Sequence, residues 1–270
     1  MLINTAILFL RECLPLFLMF AYLLAIMPKL FTHTWLNIAL LLTCSVVPFS
    51  FFTLAQGISE SFAGQGAEFM IITLLLVHLF CFLLATTQFV NERVRLILVL
   101  LGVSSFFTLK GSSLIFYLDI YTQQTVNWQP LLVGGLIGMG ICISVLVLLR
   151  FVLTELIAHR QTHWVIGLWV LFIVGNTAEI SHVLLQINAL DWGANTFFDI
   201  SAFVDDSAEY GYLLNALVGF ESSPSVLFVV LYGVCLMLAI LCLRALGCVS
   251  NQHSKSPVYP GEFSTHEGLL

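Results

Sequence analysis

Residues 131–152 read Leu-Leu-Val-Gly-Gly-Leu-Ile-Gly-Met-Gly-Ile-Cys-Ile-Ser-Val-Leu-Val-Leu-Leu-Arg-Phe-Val, and the first charge, Arg150, comes near the end. At 1.5 Å per residue a helix of this length crosses a hydrocarbon core of about 30 Å. The run is continuously apolar, with no alternation, so a strand of a membrane barrel is excluded. Helices remain as the way to satisfy backbone polar groups in lipid. Similar stretches lie at Leu2–Met27, Trp35–Ala55, Phe69–Ala85, Leu96–Leu118, Val165–Leu190 and Val226–Leu246. The expected fold is therefore all-α and polytopic, with seven transmembrane helices.

Composition agrees. Of 270 residues, 60% are hydrophobic and 9% charged, against about a quarter charged in a soluble domain. The expected organisation is one seven-helix domain over residues 1–250 and a polar, disordered tail over 251–270. Seven cysteines without C-x-x-C spacing read as small apolar packers. The first apolar run has no basic segment before it, so it is expected to remain as a spanning helix.

Charge placement gives orientation. Lys29, Arg93, Arg95, Arg150, Arg160, Arg244 and Lys255 all fall on one side of a seven-span layout. The positive-inside rule puts that side in the cytoplasm and the N-terminus outside. The opposite loops carry Glu60, Asp119, Asp191, Asp199, Asp205, Asp206, Glu209 and Glu221, with Glu68 at the edge. An acidic face concentrates cations. No basic cluster suggests nucleic acid.

Four charges fall inside spans: Arg11 and Glu12 in the first, Lys110 in the fourth, Glu179 in the sixth. A charge at mid-bilayer costs at least about 2.5 kcal/mol, so these side chains are expected to face the bundle in pairs, for example Arg11 with Glu179. Arg11 and Lys110 sit at comparable depth in spans one and four. This suggests an inverted repeat of helices 1–3 and 4–6 plus a seventh helix, an arrangement that builds transport sites near the midplane. Pro15 is expected to bend or break span one beside Glu12, and Pro48 to do the same in span two. Glycines 134, 135, 138 and 140, and Gly175, are expected to let helices approach closely. His78 reads as a packed, hydrogen-bonded residue.

The stretch Arg11-Glu12-Cys13-Leu14-Pro15 within Ile7–Leu23 resembles the first R-E-G-L-E helix of the high-affinity iron permeases. Leu109-Lys110-Gly111-Ser112-Ser113 falls where their second such motif stands, and Gly111 aligns with the motif glycine. The series Phe198-Asp199-Ile200-Ser201, Asp205-Asp206-Ser207-Ala208-Glu209, Gly211, Leu214, Gly219-Phe220, Pro224-Ser225 and Tyr232 is similar to their outer segment before the last helix. The resemblance implies a permease of the plasma (bacterial inner) membrane carrying iron inward. It also implies a partner on the outer face, a ferroxidase or a periplasmic iron-binding protein. Three of the four motif acids are replaced, by Pro15, Lys110 and Ser113. The alternative is thus a non-transporting relative serving as an assembly or regulatory subunit.

Carboxylate and imidazole suit iron. Glu179 and His182 have E-x-x-H spacing, which on a continuous helix shares a face. The expected metal path runs from the outer acidic segment (Asp205, Asp206, Glu209) past Glu68 to Glu12, Glu179 and His182, with Arg11 and Lys110 as structural or gating charges. Iron enters as cargo, and no permanently bound cofactor is expected. A hydrolase using Ser112 or Ser113 with His182 lacks a strained G-x-S-x-G elbow, so no enzyme is expected.

Overall fold

The computed structural model describes residues 2–28, 50, 57–58, 64–87, 89–124, 129–188, 190, 193–201, 203–206 and 208–246. The helices in chain order are α1 (Leu2–Ile26), α2 (Gly66–Ala85), α3 (Glu92–Gln124), α4 (Gln129–Ala158), α5 (Thr162–Ala178), α6 (Ile180–Gln186), α7 (Glu209–Val218) and α8 (Val226–Leu246). Six helical stretches among the described residues are long and apolar enough to cross a membrane, with α5 and α6 together forming one of them. The chain has the make-up of an integral membrane protein. The expected second span, Trp35–Ala55 with Pro48, lies outside the described residues apart from Ser50, as does the tail 251–270. The first expected triplet is therefore described in two of its three members.

The long helices overrun their apolar cores. α3 starts before and ends after Leu96–Leu118, and α4 likewise exceeds Leu131–Val152. Helical backbone is self-satisfied, so it has no reason to stop where the side chains become polar. Hydroxyl and amide side chains inside the spans fold back onto carbonyls of the preceding turn. Thr108 donates to Ser104 O at 2.6 Å, Ser112 to Leu109 O at 2.9 Å and Asn176 to Phe172 O at 2.8 Å. Ser112 and Ser113 both bond Leu109 O and are helix residues of this kind.

Pro15 does not break α1, which runs through it unbroken. Proline deletes one N–H, so the carbonyl of Arg11 loses its usual partner, but packing holds the helix line. Leu14, Leu16, Leu18 and Met19 around it are buried. α4 ends in a left-handed turn at Arg160 (φ 58°), where Gln161 N–H bonds Leu156 O and Arg160 N–H bonds Ile157 O. This is the paired-bond stop that usually carries glycine. At the α2–α3 turn Arg95 donates to Thr87 O and Val90 O, so one of the loop cations also ties down the turn.

The core is aromatic where α1, α2, α3 and α5 meet. Tyr22 lies 5.5 Å from Trp169 and from Phe172, Phe82 lies 5.1 Å from Trp169, and Phe106 lies 6.0 Å from Phe172. α1 packs on both α4 and α3, so the helices bearing Arg11 and Lys110 are neighbours. Glycines make the closest approaches. Phe9 of α1 lies on Gly135 and Gly138 of α4, and a Cβ on Gly138 would come within 2.8 Å of Phe9 Cβ. Gly140 faces open space instead. Gly175 of α5 meets Gly219, just beyond α7, backbone to backbone; a Cβ on either would collide with the other. Gly219 also needs its left-handed φ of 67° to end α7, its N–H bonding Asn215 O at 2.7 Å. This close contact seats α7 across α5.

Candidate intramembrane ion-pair site

The central feature of the site is an ion pair between helices. Lys110 Nζ of α3 donates to both oxygens of Glu179, at 2.7 and 3.0 Å. Glu179 stands at the junction between α5 and α6. Leu109 and Ile180, the immediate neighbours of the two charges, pack with Leu75 of α2 into a small apolar cluster. That cluster walls one flank of the pair and lowers the local dielectric, which strengthens the attraction. The Lys110 side chain is 14% exposed and the Glu179 side chain 39%, so the pair is sheltered on the lysine side and accessible on the carboxylate side.

The second pair is local. Arg11 Nε and Nη2 both donate to Glu12 Oε1, at 3.0 and 2.9 Å. Glu12 is enclosed, its side chain 9% exposed, whereas the Arg11 side chain is 59% exposed. The guanidinium lies in a surface cleft with Ile7, Leu8 and Tyr212 of α7. The expectation that Arg11 faces the bundle is corrected: only its partner does. A long stem lets the charged head leave the apolar packing while Glu12 stays inside. The suggested pairing of Arg11 with Glu179 is also corrected, because Lys110 occupies that carboxylate.

The E-x-x-H spacing does not bring its two members onto a common ligand position. At Glu179 the hydrogen-bond pattern tightens while the backbone stays helical (φ −54°, ψ −18°), and His182 N–H reaches back only three residues, to Glu179 O at 3.1 Å. Glu179 turns to Lys110, while His182 Nε2 pairs with Glu221 Oε1 at 2.6 Å. The two stand close enough for the Glu179 charge to act on the imidazole, but each carries its own partner. Glu221 was legible only as one more outer acid; its role as the partner of His182 depends on how the chain returns to begin α8.

Glu68 lies in the first turn of α2, where a carboxylate suits the helix dipole. Its Oε2 is buried without a hydrogen-bond partner among the described residues. His78 is packed as expected, stacked on Phe106 at 4.5 Å and edge-on to Phe82 at 4.8 Å. The expected hydrogen bond is present only as a loose approach: neither ring nitrogen meets strict hydrogen-bond geometry among the described residues, but the Gly102 backbone lies within reach. Among those residues, no three His, Cys, Asp or Glu side chains converge on a metal position.

In the segment between α6 and α8 Asp206 accepts from Ser222 N–H at 3.0 Å and from Ser222 Oγ at 2.7 Å, clamping the chain before α8 to the turn before α7. Asp205 lies in the same turn, its carbonyl accepting from Ala208 N–H at 3.1 Å. Glu209 begins α7. Ile200 N–H bonds Ser222 O, Phe197 N–H bonds Pro224 O and Val226 N–H bonds Asn195 O, so residues 195–200 lie antiparallel to 222–226. Asp199 accepts from Ser201 N–H at 2.9 Å. Bonds from the Ser201 hydroxyl and backbone hold its carboxyl below the usual range. Two of the expected acids are thus loop-fastening groups. Comparison with family models, with characterised proteins and with solved structures finds no match.

Proposed function

We propose that the chain is a cation permease of the plasma (bacterial inner) membrane, carrying iron inward past Glu12 and Glu179, with the N-terminus outside. The single observation that carries this reading is the pair Lys110–Glu179: an accessible carboxylate at the α5–α6 junction inside the bundle, neutralised by a lysine of another span. Intramembrane charges held in pairs are a feature on which transport sites are built. The enclosed carboxylate of Glu12, on a helix packed against α3, supplies a second station. Opposed insertion of two helix triplets would place both stations at one repeat interface. The acidic outer segment would raise the local cation concentration. A ferroxidase or periplasmic iron-binding protein would dock on that side.

One observation favours a second reading, a non-transporting assembly or regulatory subunit. Both carboxylates already have protein cations, and Glu179 and His182 take separate partners. The experiment that decides is iron uptake into proteoliposomes holding wild type, Glu12→Ala or Glu179→Ala. Uptake above empty liposomes that falls in both variants supports the permease. Equal uptake with and without the protein removes it.

A further inference from the structure

We propose that Lys110 is a resident cation of the path, so that a cargo cation reaches Glu179 only by displacing its ammonium group. The inference rests on the permease reading and specifies how its site is regulated. The geometry supports it at three points. The ammonium bonds both carboxylate oxygens, at 2.7 and 3.0 Å, leaving neither free of a cation. Lysine is a compact charge with three donors on a flexible stem, so it can let go and return. The Lys110 side chain is sheltered, with its neighbour Leu109 packed on Leu75 and Ile180, whereas the Glu179 side chain is partly exposed. An incoming ion therefore meets the carboxylate before the lysine.

Among the described residues the other candidate cations are engaged elsewhere, so none takes over the lysine's role at Glu179. His182, three residues on, is held by Glu221 at 2.6 Å. Arg11 is held by Glu12 at 2.9 Å. Competition by a tethered ammonium makes the site weak toward divalent ions, and the weakness should disappear with the amine. A tethered competitor lowers apparent affinity by the fraction of time the site is free.

The test is calorimetric titration of the purified full-length chain in detergent with manganous ion, a redox-stable ion that favours oxygen ligands. Lys110→Gln is expected to bind at least about tenfold more tightly than wild type. Lys110→Arg should stay as weak as wild type, and Lys110→Gln/Glu179→Gln should lose the gain. The inference is overturned if Lys110→Gln binds no more tightly, or if the gain persists without the Glu179 carboxylate. If Lys110→Gln does not fold, the wild-type chain decides through amine acetylation read by mass spectrometry. Manganous ion should then raise labelling of Lys110 while Lys29 and Lys255 stay unchanged; unaltered Lys110 labelling refutes displacement. Iron uptake by wild type without tightening in Lys110→Gln sinks only this inference. Tightening without uptake by any variant sinks only the permease.

Discussion

The two intramembrane ion pairs share chemistry and differ in reach. Arg11 and Glu12 are consecutive on α1, so their bond fixes a side-chain direction and ties nothing distant together. Lys110 and Glu179 are separated by 69 positions and join α3 to the α5–α6 junction. The first pair releases its cation to the surface, the second shelters it. A local pair can survive a shift of helices, whereas a pair between helices reports their relative position. The second pair is therefore the one able to couple an ion to a conformational change.

The sharpest way to break the comparison acts on the platform, not the charges. Gly175 lies one turn before Glu179 and touches Gly219 backbone to backbone. Gly175→Val forces α5 and α7 apart, at a cost of about 3 kcal/mol for overpacking. Thermal unfolding in nanodiscs should fall clearly, and Lys110 should become more reactive to acetylation. A variant as stable as wild type, with Lys110 still protected, would mean that the glycine contact does not position the pair.

Removing one charge comes next. Glu179→Ala leaves Lys110 sheltered without its partner, a loss of about 2 kcal/mol after allowing for the exposure of Glu179. Arg11→Ala should cost less than about 1 kcal/mol, because its charge is already exposed. Urea midpoints of the two variants in the same detergent compare them directly. Equal losses would erase the distinction between the pairs.

These contrasts also mark how much the sequence discloses. The long uncharged run 131–149 makes α4 a spanning helix without further information, because backbone satisfaction in lipid leaves no alternative. Glu12 and Lys110 were legible as bundle charges for the same reason, since lipid exposure is costly. Their partners were not. Pairing between Lys110 and Glu179 depends on which face of α5 turns toward α3, and apolar spans with no polar stripe hide that rotation. The exposure of Arg11 was hidden too, because a flexible stem allows its head to leave a packed helix. The E-x-x-H spacing could not disclose that Glu179 and His182 take separate partners, Lys110 and Glu221, because both partners come from distant parts of the chain. Gly219 was quoted only as part of a pattern, and its contact with Gly175 emerges only when α7 folds over α5.

A double-mutant cycle measures the same comparison with the background removed. The Lys110→Gln and Glu179→Gln pair should show a coupling of about 1 kcal/mol, within the range for contacting charges. The Arg11→Gln and Glu12→Gln pair should couple by about 0.5 kcal/mol or less, as exposed pairs do. Unfolding midpoints of the singles and doubles supply both values. Larger coupling in the consecutive pair would reverse the argument.

The smallest effect belongs to a charge with no reach into the bundle. Asp199 is exposed in the segment before α7, and its carboxyl is held low by the Ser201 hydroxyl and backbone N–H. Because folding depresses this group, its contribution is fully present above the ordinary carboxylate range near 3.8 and fades as pH falls below it. Asp199→Asn should therefore leave the unfolding midpoint at pH 7 close to that of wild type. It should change the profile only in the acid limb, where wild type loses this contribution and the variant has none to lose. Uptake at neutral pH should match wild type. A fall in uptake comparable to that of Glu179→Ala would show that an outer carboxylate far from the lysine controls passage, and the contrast between local and interhelical pairs would no longer explain where the cation is held.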